Sequence, residues 1–206
     1  MQLSLFHADI TPPMNHPLCA PPEVTQTVEN PPLAWKTKDV ILPPREDQPE
    51  KELRECLSQE GLSTKVKSRA ALILAYQNRC KAGRRICISA LHIGDDIVAV
   101  HTPGESFIEY QLYAQELRPD AMVVVPSYGD CGPGYVTLAK SFAEGGYEPY
   151  DSFCSEKSEG ILRDAIATVV RCALCVAGAT TPRPKPFRSR PRLLSRRSPA
   201  RFPSRR

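Results

Sequence analysis

Apolar residues recur with helical spacing in three parts of the chain. Between Thr64 and Lys81, and again from about Glu105 to Leu117, they fall at every third or fourth position. The most regular pattern covers Glu156–Val176, for which Ser155 is a suitable N-cap. A short, strongly charged helix is predicted over residues 48–59. The apolar face of the Thr64–Lys81 helix is predicted to comprise Val66, Ala70, Ile73, Leu74 and Gln77.

Shorter apolar runs, typical of strands, lie between these helices. Ile86–Leu91 and Asp96–Thr102 flank a turn-forming cluster and are predicted to form a hairpin. Ala121–Val125 follows the second helix, so strand, helix and strand make a βαβ unit with parallel pairing and a right-handed crossover. Phe6–Ile10 and Lys38–Leu42 are further predicted strands. Together these elements predict an α/β fold, an incomplete mixed sheet with flanking helices.

The segment before the final helix differs in composition. Residues 126–153 are rich in glycine, proline, tyrosine and aspartate, and we expect a long loop with one helical turn. Loops of this length in compact domains are usually functional or disordered. Its acid Asp130, like Asp95 in the hairpin turn, has an ordinary explanation as a turn residue.

Proline and apolar content divide the chain into three parts. Many of the 21 prolines lie in the first fifty residues, where they favour extended backbone, and residues 1–30 are predicted to form an extended segment. Residues 31–178 are predicted to be the α/β part. Residues 179–206 are an Arg/Pro/Ser tail with too little apolar surface to offset the entropy of folding, so we predict a disordered tail.

The positive charge of the chain is concentrated in this tail. Ten of the 27 Lys and Arg residues lie in residues 181–206, which contain no Asp or Glu. The remaining 17 against 23 acidic residues leave residues 1–180 with a formal charge of −6. Such a polycation can contact the phosphates of nucleic acid or of anionic lipid. Phe187 and Phe202 are its only aromatic residues, which argues against base stacking.

The eight cysteines follow no repeating spacing, and the N-terminus carries no pattern of an export signal. No stretch approaches the roughly 20 apolar residues of a membrane span. The default expectation is therefore a cytoplasmic chain with reduced thiols. Cys172 and Cys175 form a CxxC pair on an apolar helix, and buried structural cysteines are favoured there over half a zinc site or a redox pair.

Four short motifs occur in a fixed order in the middle of the chain. They are Val100-His101-Thr102-Pro103-Gly104-Glu105, the strand Met122–Val125, Tyr135-Val136-Thr137 and Gly146-Tyr147-Glu148. In this order they resemble the neutral/alkaline non-lysosomal ceramidase family, and residues 86–176 are similar to the closing part of its domain. The resemblance implies an α/β domain of a zinc-dependent amidase that hydrolyses the N-acyl bond of ceramide-like lipids.

The resemblance also assigns two metal ligands. In that family the glutamate after Pro-Gly and the loop tyrosine bind zinc with two earlier histidines, and these positions correspond to Glu105 and Tyr135. Alternatively, Glu105 is a carboxylate in a first helical turn and Tyr135 a packed loop aromatic. His92 and His101 are interpreted as sheet or pocket-edge residues rather than replacement ligands. We expect no stably bound zinc, because a site needs about four ligands.

A second similarity lies at the front of the chain. Residues 7–13 followed by 16–19 resemble the opening strand and turn of the same domain. In the family a long segment follows, which holds both zinc-binding histidine motifs and the serine of amide hydrolysis. Here only a short stretch separates the opening from the region that begins near Trp35. The resemblance thus implies a large internal deletion, or two joined ends of a longer coding sequence.

These observations lead to one leading hypothesis and two alternatives. The leading hypothesis is a truncated relative of a ceramidase-like amidase that is inactive alone, and whether the chain is an enzyme stays open. The first alternative is a non-enzymatic protein whose basic tail binds nucleic acid or anionic surfaces. The second is an inactive remnant without a selected role.

Overall fold

Strands and helices occur in short groups along the chain in the computed structural model, which describes residues 2–7, 23–129 and 132–171. The strands are β1 (Gln2–His7), β2 (Glu23–Glu29), β3 (Leu33–Val40), β4 (Ile86–Ile93), β5 (Ile97–His101), β6 (Glu105–Ser106), β7 (Met122–Val124) and β8 (Tyr135–Val136). The helices are α1 (Glu50–Ser58), α2 (Thr64–Lys81), α3 (Ile108–Leu117), α4 (Ala139–Glu144), α5 (Tyr147–Asp151) and α6 (Ser158–Val170). The predicted fold class, α/β with a partial mixed sheet and flanking helices, is confirmed.

The main sheet has four strands in the order β3-β4-β5-β7. β3, β4 and β5 pair antiparallel, so the predicted hairpin is present between β4 and β5. β7 pairs with β5 in parallel, as expected for strands that are connected through a helix. β1 and β2 form a separate antiparallel hairpin, and β6 pairs with β8 in parallel.

The main core lies between one face of this sheet and the helices α3 and α6. Val98 and Val100 of β5 are fully buried there, together with Leu162 and Ile166 of α6. Burying a side chain of this size contributes about 1.5–3 kcal/mol. The regular apolar pattern of the final helix therefore corresponds to the face that α6 packs on the sheet.

Helices α1 and α2 pack together and form a smaller core beside the main one. Ser63 caps α2, because its side chain accepts a hydrogen bond from the Val66 N–H. Val66 itself was predicted to face the core, but it is 45% exposed and lines an open cavity of about 540 Å³ between α1 and α2. Tyr76 is buried instead, and its hydroxyl donates to the Leu42 carbonyl at 2.6 Å.

Several element boundaries differ from the prediction. β1 covers Gln2–His7, and residues 8–10 of the expected strand Phe6–Ile10 lie outside the described residues. β3 covers Leu33–Val40 rather than Lys38–Leu42, and β2 was missed. Residues 126–153 contain β8, α4 and α5 rather than one helical turn. These short elements are held by tertiary pairing and carry no periodic apolar signal.

The final helix also differs at both ends. Ser155 is not its N-cap, because α6 begins at Ser158 and the Ser155 carbonyl accepts the Ser158 N–H at 3.0 Å. The helix ends at Val170 rather than Val176, since Arg171 has extended backbone with φ −61° and ψ 132°. The CxxC pair, the basic tail, Asp130 and the motif of residues 8–19 lie outside the described residues.

Within the described ranges, the cysteines Cys56, Cys80, Cys87 and Cys154 form no disulfide with one another. None of the helices placed there combines the length and the hydropathy of a membrane-spanning segment.

His92 gives the fold a specific dependence on pH. Its ring is buried and its Nε2 lies 2.8 Å from the Val169 carbonyl, which ties β4 to α6. Burial lowers the pKa of His92 below 6.5, and Lys36 and Arg118 lower it further. A depressed folded pKa means that stability is fully present above the unfolded pKa and declines as pH falls through it. Denaturant unfolding should show a decline of at most about 1.4 kcal/mol per pH unit below pH ~6.5.

The matched variant is His92→Gln, whose amide can still donate to the Val169 carbonyl but does not titrate. It should lose this part of the pH dependence between neutral and mildly acidic conditions. An unchanged pH dependence in the variant would show that another group controls it.

Candidate functional site

Two short paired strands bring together the positions that the resemblance assigns to metal ligands. β6 and β8 run parallel, and Glu105 is the register partner of Tyr135. The Glu105 N–H donates to the Gly134 carbonyl at 2.9 Å, and the Phe107 N–H donates to the Val136 carbonyl at 3.2 Å. Residues that are far apart in sequence therefore lie side by side.

The position of Glu105 corrects one sequence-based alternative. A helix was expected to begin at Glu105 or Ser106, and Glu105 would then lie in its first turn. Instead α3 begins at Ile108, and Glu105 belongs to β6. Its carboxylate is thus outside the helix, and the helix dipole does not explain this residue.

Gly104 makes the strand pairing sterically feasible. Its φ of +61° favours glycine, and a Cβ at this position would lie 2.4 Å from the Gly134 carbonyl oxygen. The Gly104 N–H also donates to the Gly129 carbonyl at 2.9 Å. The Pro-Gly turn of the sequence motif thus allows the backbone of residue 104 to approach the chain just before β8.

Three tyrosines are linked to this carboxylate directly or through one another, and we call the group the tyrosine–glutamate cluster: Glu105, Tyr128, Tyr135 and Tyr147. The Tyr128 hydroxyl donates to Glu105 Oε1 at 3.1 Å. The hydroxyls of Tyr135 and Tyr147 are 2.6 Å apart, and their rings meet edge to face with centroids 5.3 Å apart. Tyr128 and Tyr147 are exposed, so solvent reaches the cluster.

The contacts in the cluster favour the protonated form of two of its phenols, Tyr128 and Tyr135. The hydrogen bond to Glu105 raises the pKa of Tyr128 above its usual value of 10. The hydroxyl of Tyr147 raises the pKa of Tyr135, and the nearby Glu105 carboxylate raises it further. Both shifts have the same physical basis, because a phenolate beside a carboxylate or another phenol oxygen loses a hydrogen bond and gains a like-charge repulsion.

Glu105→Gln should lower the pKa of Tyr128. The amide is neutral and can itself donate, so it no longer penalises the phenolate at Tyr128. We expect Tyr128 to ionise at lower pH, and Tyr135 should shift in the same direction. The measurement is an alkaline titration of the tyrosine side-chain signals by NMR, with assignment from Tyr128→Phe.

Glu144→Gln is the matched control, since Glu144 is an exposed carboxylate on α4. It should leave both tyrosines unchanged. Equal effects of the two substitutions would mean that overall charge, and not the contact with Glu105, sets the pKa of Tyr128.

The other candidate residues from the sequence lie apart from this network. His92 binds the Val169 carbonyl in the core, as described above. His101 packs its ring against the backbone of Gly129, where a Cβ would overlap Nε2. Asp95 lies in the β4–β5 turn, and its carbonyl accepts a hydrogen bond from Arg118 at 2.7 Å. The two histidines thus act as sheet and loop residues, in line with their interpretation from the sequence.

The donor set of the cluster does not fit a resident zinc ion. Zinc sites in proteins use about four ligands, mostly imidazole nitrogen, thiolate sulfur and carboxylate oxygen. The cluster offers one carboxylate and phenols whose raised pKa opposes the deprotonation that a metal ligand needs. In the described ranges, no group of three or more His, Cys, Asp and Glu residues is arranged to hold a metal.

Sequence reasoning identified Glu105 and Tyr135 but missed Tyr128 and Tyr147 as members of the cluster. One signal was available, because the segment 126–153 is unusually rich in tyrosine. The structure adds a second signal for Tyr128, because its φ of +76° is rare for a residue with a side chain of this size. Backbone strain of this kind is concentrated at functional sites.

Comparisons with known proteins give one structural similarity. No protein-family model matches the chain, and no curated protein sequence matches it. A solved structure of neutral ceramidase from Pseudomonas aeruginosa is similar, with a TM-score of 0.45 and 13% sequence identity. The similarity covers 71% of this chain and 29% of that chain, so this chain spans less than a third of the ceramidase.

Proposed function

We propose that the chain is a partial relative of zinc-dependent amidases of the neutral ceramidase type and that it has no hydrolytic activity alone. The observation that carries this proposal is the pairing of Glu105 with Tyr135 on β6 and β8. The sequence resemblance requires these two residues to share one site. If the fold had separated Glu105 from Tyr135, the resemblance would no longer imply that these two residues share one site.

The proposed lack of activity follows from the residues themselves. Amide hydrolysis needs a polarised carbonyl and an activated nucleophile, and zinc commonly supplies both when it is bound. The resemblance assigns two further zinc ligands to histidine and the nucleophile to serine, all within the segment that has no counterpart here. The chain has four histidines, and the two outside the opening motif serve as sheet and loop residues.

The proposed substrate class of the intact relatives is a ceramide-like lipid, and it follows from the resemblance alone. For this chain we expect at most weak contact with such a lipid, because the cluster is open to solvent. Deep ligand pockets bury most of the ligand surface, which an open cluster does not.

The experiment is a hydrolysis assay of the purified 206-residue chain on a fluorescent N-acyl sphingosine, with and without added zinc. We expect product formation equal to the buffer background under both conditions. Glu105→Gln is run in parallel as the variant that would remove genuine activity, and Glu144→Gln as the surface control. Zinc-dependent turnover that disappears only in Glu105→Gln would overturn the proposal.

A second candidate function is phosphate binding by the basic tail. The supporting observation is the segregation of charge, with ten basic and no acidic residues in 181–206. Contacts of this kind release counterions, so binding weakens steeply with salt. We propose that the tail holds the chain on nucleic acid through such contacts without reading sequence.

The test is a salt titration of binding to a mixed-sequence RNA, comparing the full chain with a chain that ends at residue 178. We expect the truncated chain to lose the salt-dependent binding. A version with the tail residues in scrambled order keeps the charge and should bind as well as the original. Binding that survives truncation would remove this candidate.

A further inference from the structure

Helix α5 carries one member of the tyrosine–glutamate cluster. Tyr147 is its first residue, and the Tyr147 hydroxyl lies 2.6 Å from that of Tyr135. The helix has only five residues, and isolated helices shorter than about 12 residues are marginal in water. The position of Tyr147 in the cluster therefore depends on the contacts that α5 makes with other parts of the chain.

The connection in front of α5 gives this helix little restraint. Gly145 and Gly146, which separate α4 from α5, have φ of +79° and +122°. Glycine has the widest range of accessible backbone conformations, so a change at this pair can alter the direction of α5 relative to α4. The restraint on α5 thus comes from its own later residues and from the side chains that reach them.

Arg69 of α2 makes three contacts with the end of α5. Its Nε donates to Asp151 Oδ1 at 3.1 Å, and its Nη2 donates to the Tyr150 carbonyl. The guanidinium also lies over the ring of Tyr150, 4.0 Å from the ring centroid. A planar guanidinium can bind a carboxylate, a carbonyl and an aromatic face together, whereas an ammonium group is a compact point charge. Arg69 thus restrains both the position and the orientation of this end of the helix.

Arg45 holds α5 from a second direction. Its Nη1 donates to the Pro149 carbonyl, and its guanidinium lies 5.5 Å from the ring centroid of Phe142 on α4. Arg45 is itself oriented by two hydrogen bonds to the carboxylate of Asp47. Hydrogen bonds from a charged donor are roughly twice as strong as neutral ones. Two arginines that are distant in sequence therefore converge on the same short helix.

The contact between α2 and α5 is polar rather than a packed apolar core. Arg69, Tyr150 and Asp151 line the open cavity of about 540 Å³ described above. Pro149 is the buried residue of α5, and burial of one residue fixes where the helix lies but not its rotation about that point. The rotation, which sets the direction of Tyr147, is left to the polar contacts of Arg69 and Arg45.

We propose that Arg69 is a positioning residue for the tyrosine–glutamate cluster, because it holds α5 in the orientation that places the Tyr147 hydroxyl against that of Tyr135. Arg69 contacts Tyr150 and Asp151, so it acts on Tyr147 through the helix. This role goes beyond the proposed relation to amidases, and its test involves neither zinc nor hydrolysis. Either proposal can therefore fail while the other holds.

The test compares Arg69→Gln with the unsubstituted full chain by NMR of isotope-labelled tyrosine rings at neutral pH. The measured quantity is the intensity of the nuclear Overhauser cross-peaks between the rings of Tyr135 and Tyr147, assigned with Tyr147→Phe. We expect these cross-peaks to be lost in Arg69→Gln, while the backbone amide signals of β4 and β5 stay in place. Unchanged cross-peaks in a variant with intact sheet signals would overturn the proposal.

Two further variants keep the proposal testable if Arg69→Gln does not fold. Asp151→Asn removes the ion pair from the side of α5, where the Asp151 side chain is 45% exposed, and should weaken the same cross-peaks. Arg69→Lys keeps the charge but not the planar guanidinium, so it should restore only part of their intensity. Full intensity in Asp151→Asn would contradict the proposal.

Arg54→Gln is the matched control. Arg54 is also an arginine that is paired with a carboxylate, but its partner Glu50 lies on the same helix, α1. The control should leave the cross-peaks between Tyr135 and Tyr147 unchanged. Equal losses in Arg54→Gln and Arg69→Gln would assign the effect to a general loosening of α1 and α2 and would contradict a specific role of Arg69.

Discussion

Replacing Gly104 with alanine should destabilise the chain by about 3 kcal/mol or more and should separate β6 from β8. The new Cβ would lie 2.4 Å from the Gly134 carbonyl oxygen, which is backbone and cannot move without displacing Tyr135. The positive φ of +61° adds strain for any side chain. The measurements are denaturant unfolding and the NMR signals of Tyr135, whose contact with Tyr147 should be lost.

Gly83→Ala is the matched control for this substitution. Gly83 has a similar φ of +66°, but a Cβ there meets nothing within 4 Å. In this control the free energy of unfolding should therefore fall by only about 1 kcal/mol, the conformational cost of a side chain at positive φ. Equal losses in both variants would mean that the close approach of Gly104 to Gly134 contributes nothing to the fold or to the cluster.

Replacing Tyr110 with alanine should destabilise the chain by about 3–5 kcal/mol. Its ring is fully buried between α3 and the main core, and its hydroxyl donates to the Thr137 carbonyl at 2.9 Å. The substitution leaves a cavity and an unpaired carbonyl next to β8. Thermal and denaturant unfolding measure the loss.

Two further substitutions divide this effect into its parts. Tyr110→Phe keeps the ring and removes only the hydrogen bond, so the free energy of unfolding should fall by about 1–2 kcal/mol. Ile108→Ala lies on the same helix at a position that is 60% exposed and should change stability by less than about 0.5 kcal/mol. If Tyr110→Phe were as damaging as Tyr110→Ala, the hydrogen bond to Thr137 and not the packing would be the dominant contribution.

The long elements of this fold could be predicted from the sequence because their burial is one-sided. Helix α2 was predicted with both of its ends, since its apolar spacing begins after Ser63 and stops before Gly83. The hairpin of β4 and β5 follows from two apolar runs around a turn. The parallel pairing of β5 and β7 follows from the intervening helix, because parallel strands need a crossover connection.

The candidate site could be predicted only through the resemblance. β6 and β8 each contain two residues, which is too short for any periodic signal, and their pairing depends on contacts of Gly104 with distant backbone. The same limit explains why Glu105 was expected in a helix. Tyr128 and Tyr147 were not predicted as members of the cluster, because neither a loop tyrosine nor a tyrosine at the start of a five-residue helix shows a preferred partner in sequence.

The proposed relation to the amidases would leave Glu105 and Tyr135 as an incomplete ligand set. Glu105 and Tyr135 lie side by side, but the raised pKa of Tyr128 and of Tyr135 favours their protonated form. The cluster also contains no imidazole, which zinc sites commonly use. A carboxylate and a phenol together are able to contact a zinc ion only weakly, because most of its coordination positions would stay with water.

The most direct measurement is a zinc titration of the full chain, followed by NMR of the tyrosine and glutamate side chains. We expect weak, millimolar zinc binding that shifts the NMR signals of Glu105 and Tyr135. This binding should be abolished in Glu105→Gln and kept in Glu144→Gln. Tight binding of one zinc ion per chain would contradict the incomplete ligand set. Perturbation confined to other parts of the chain would contradict the proposed correspondence of Glu105 and Tyr135 to metal ligands.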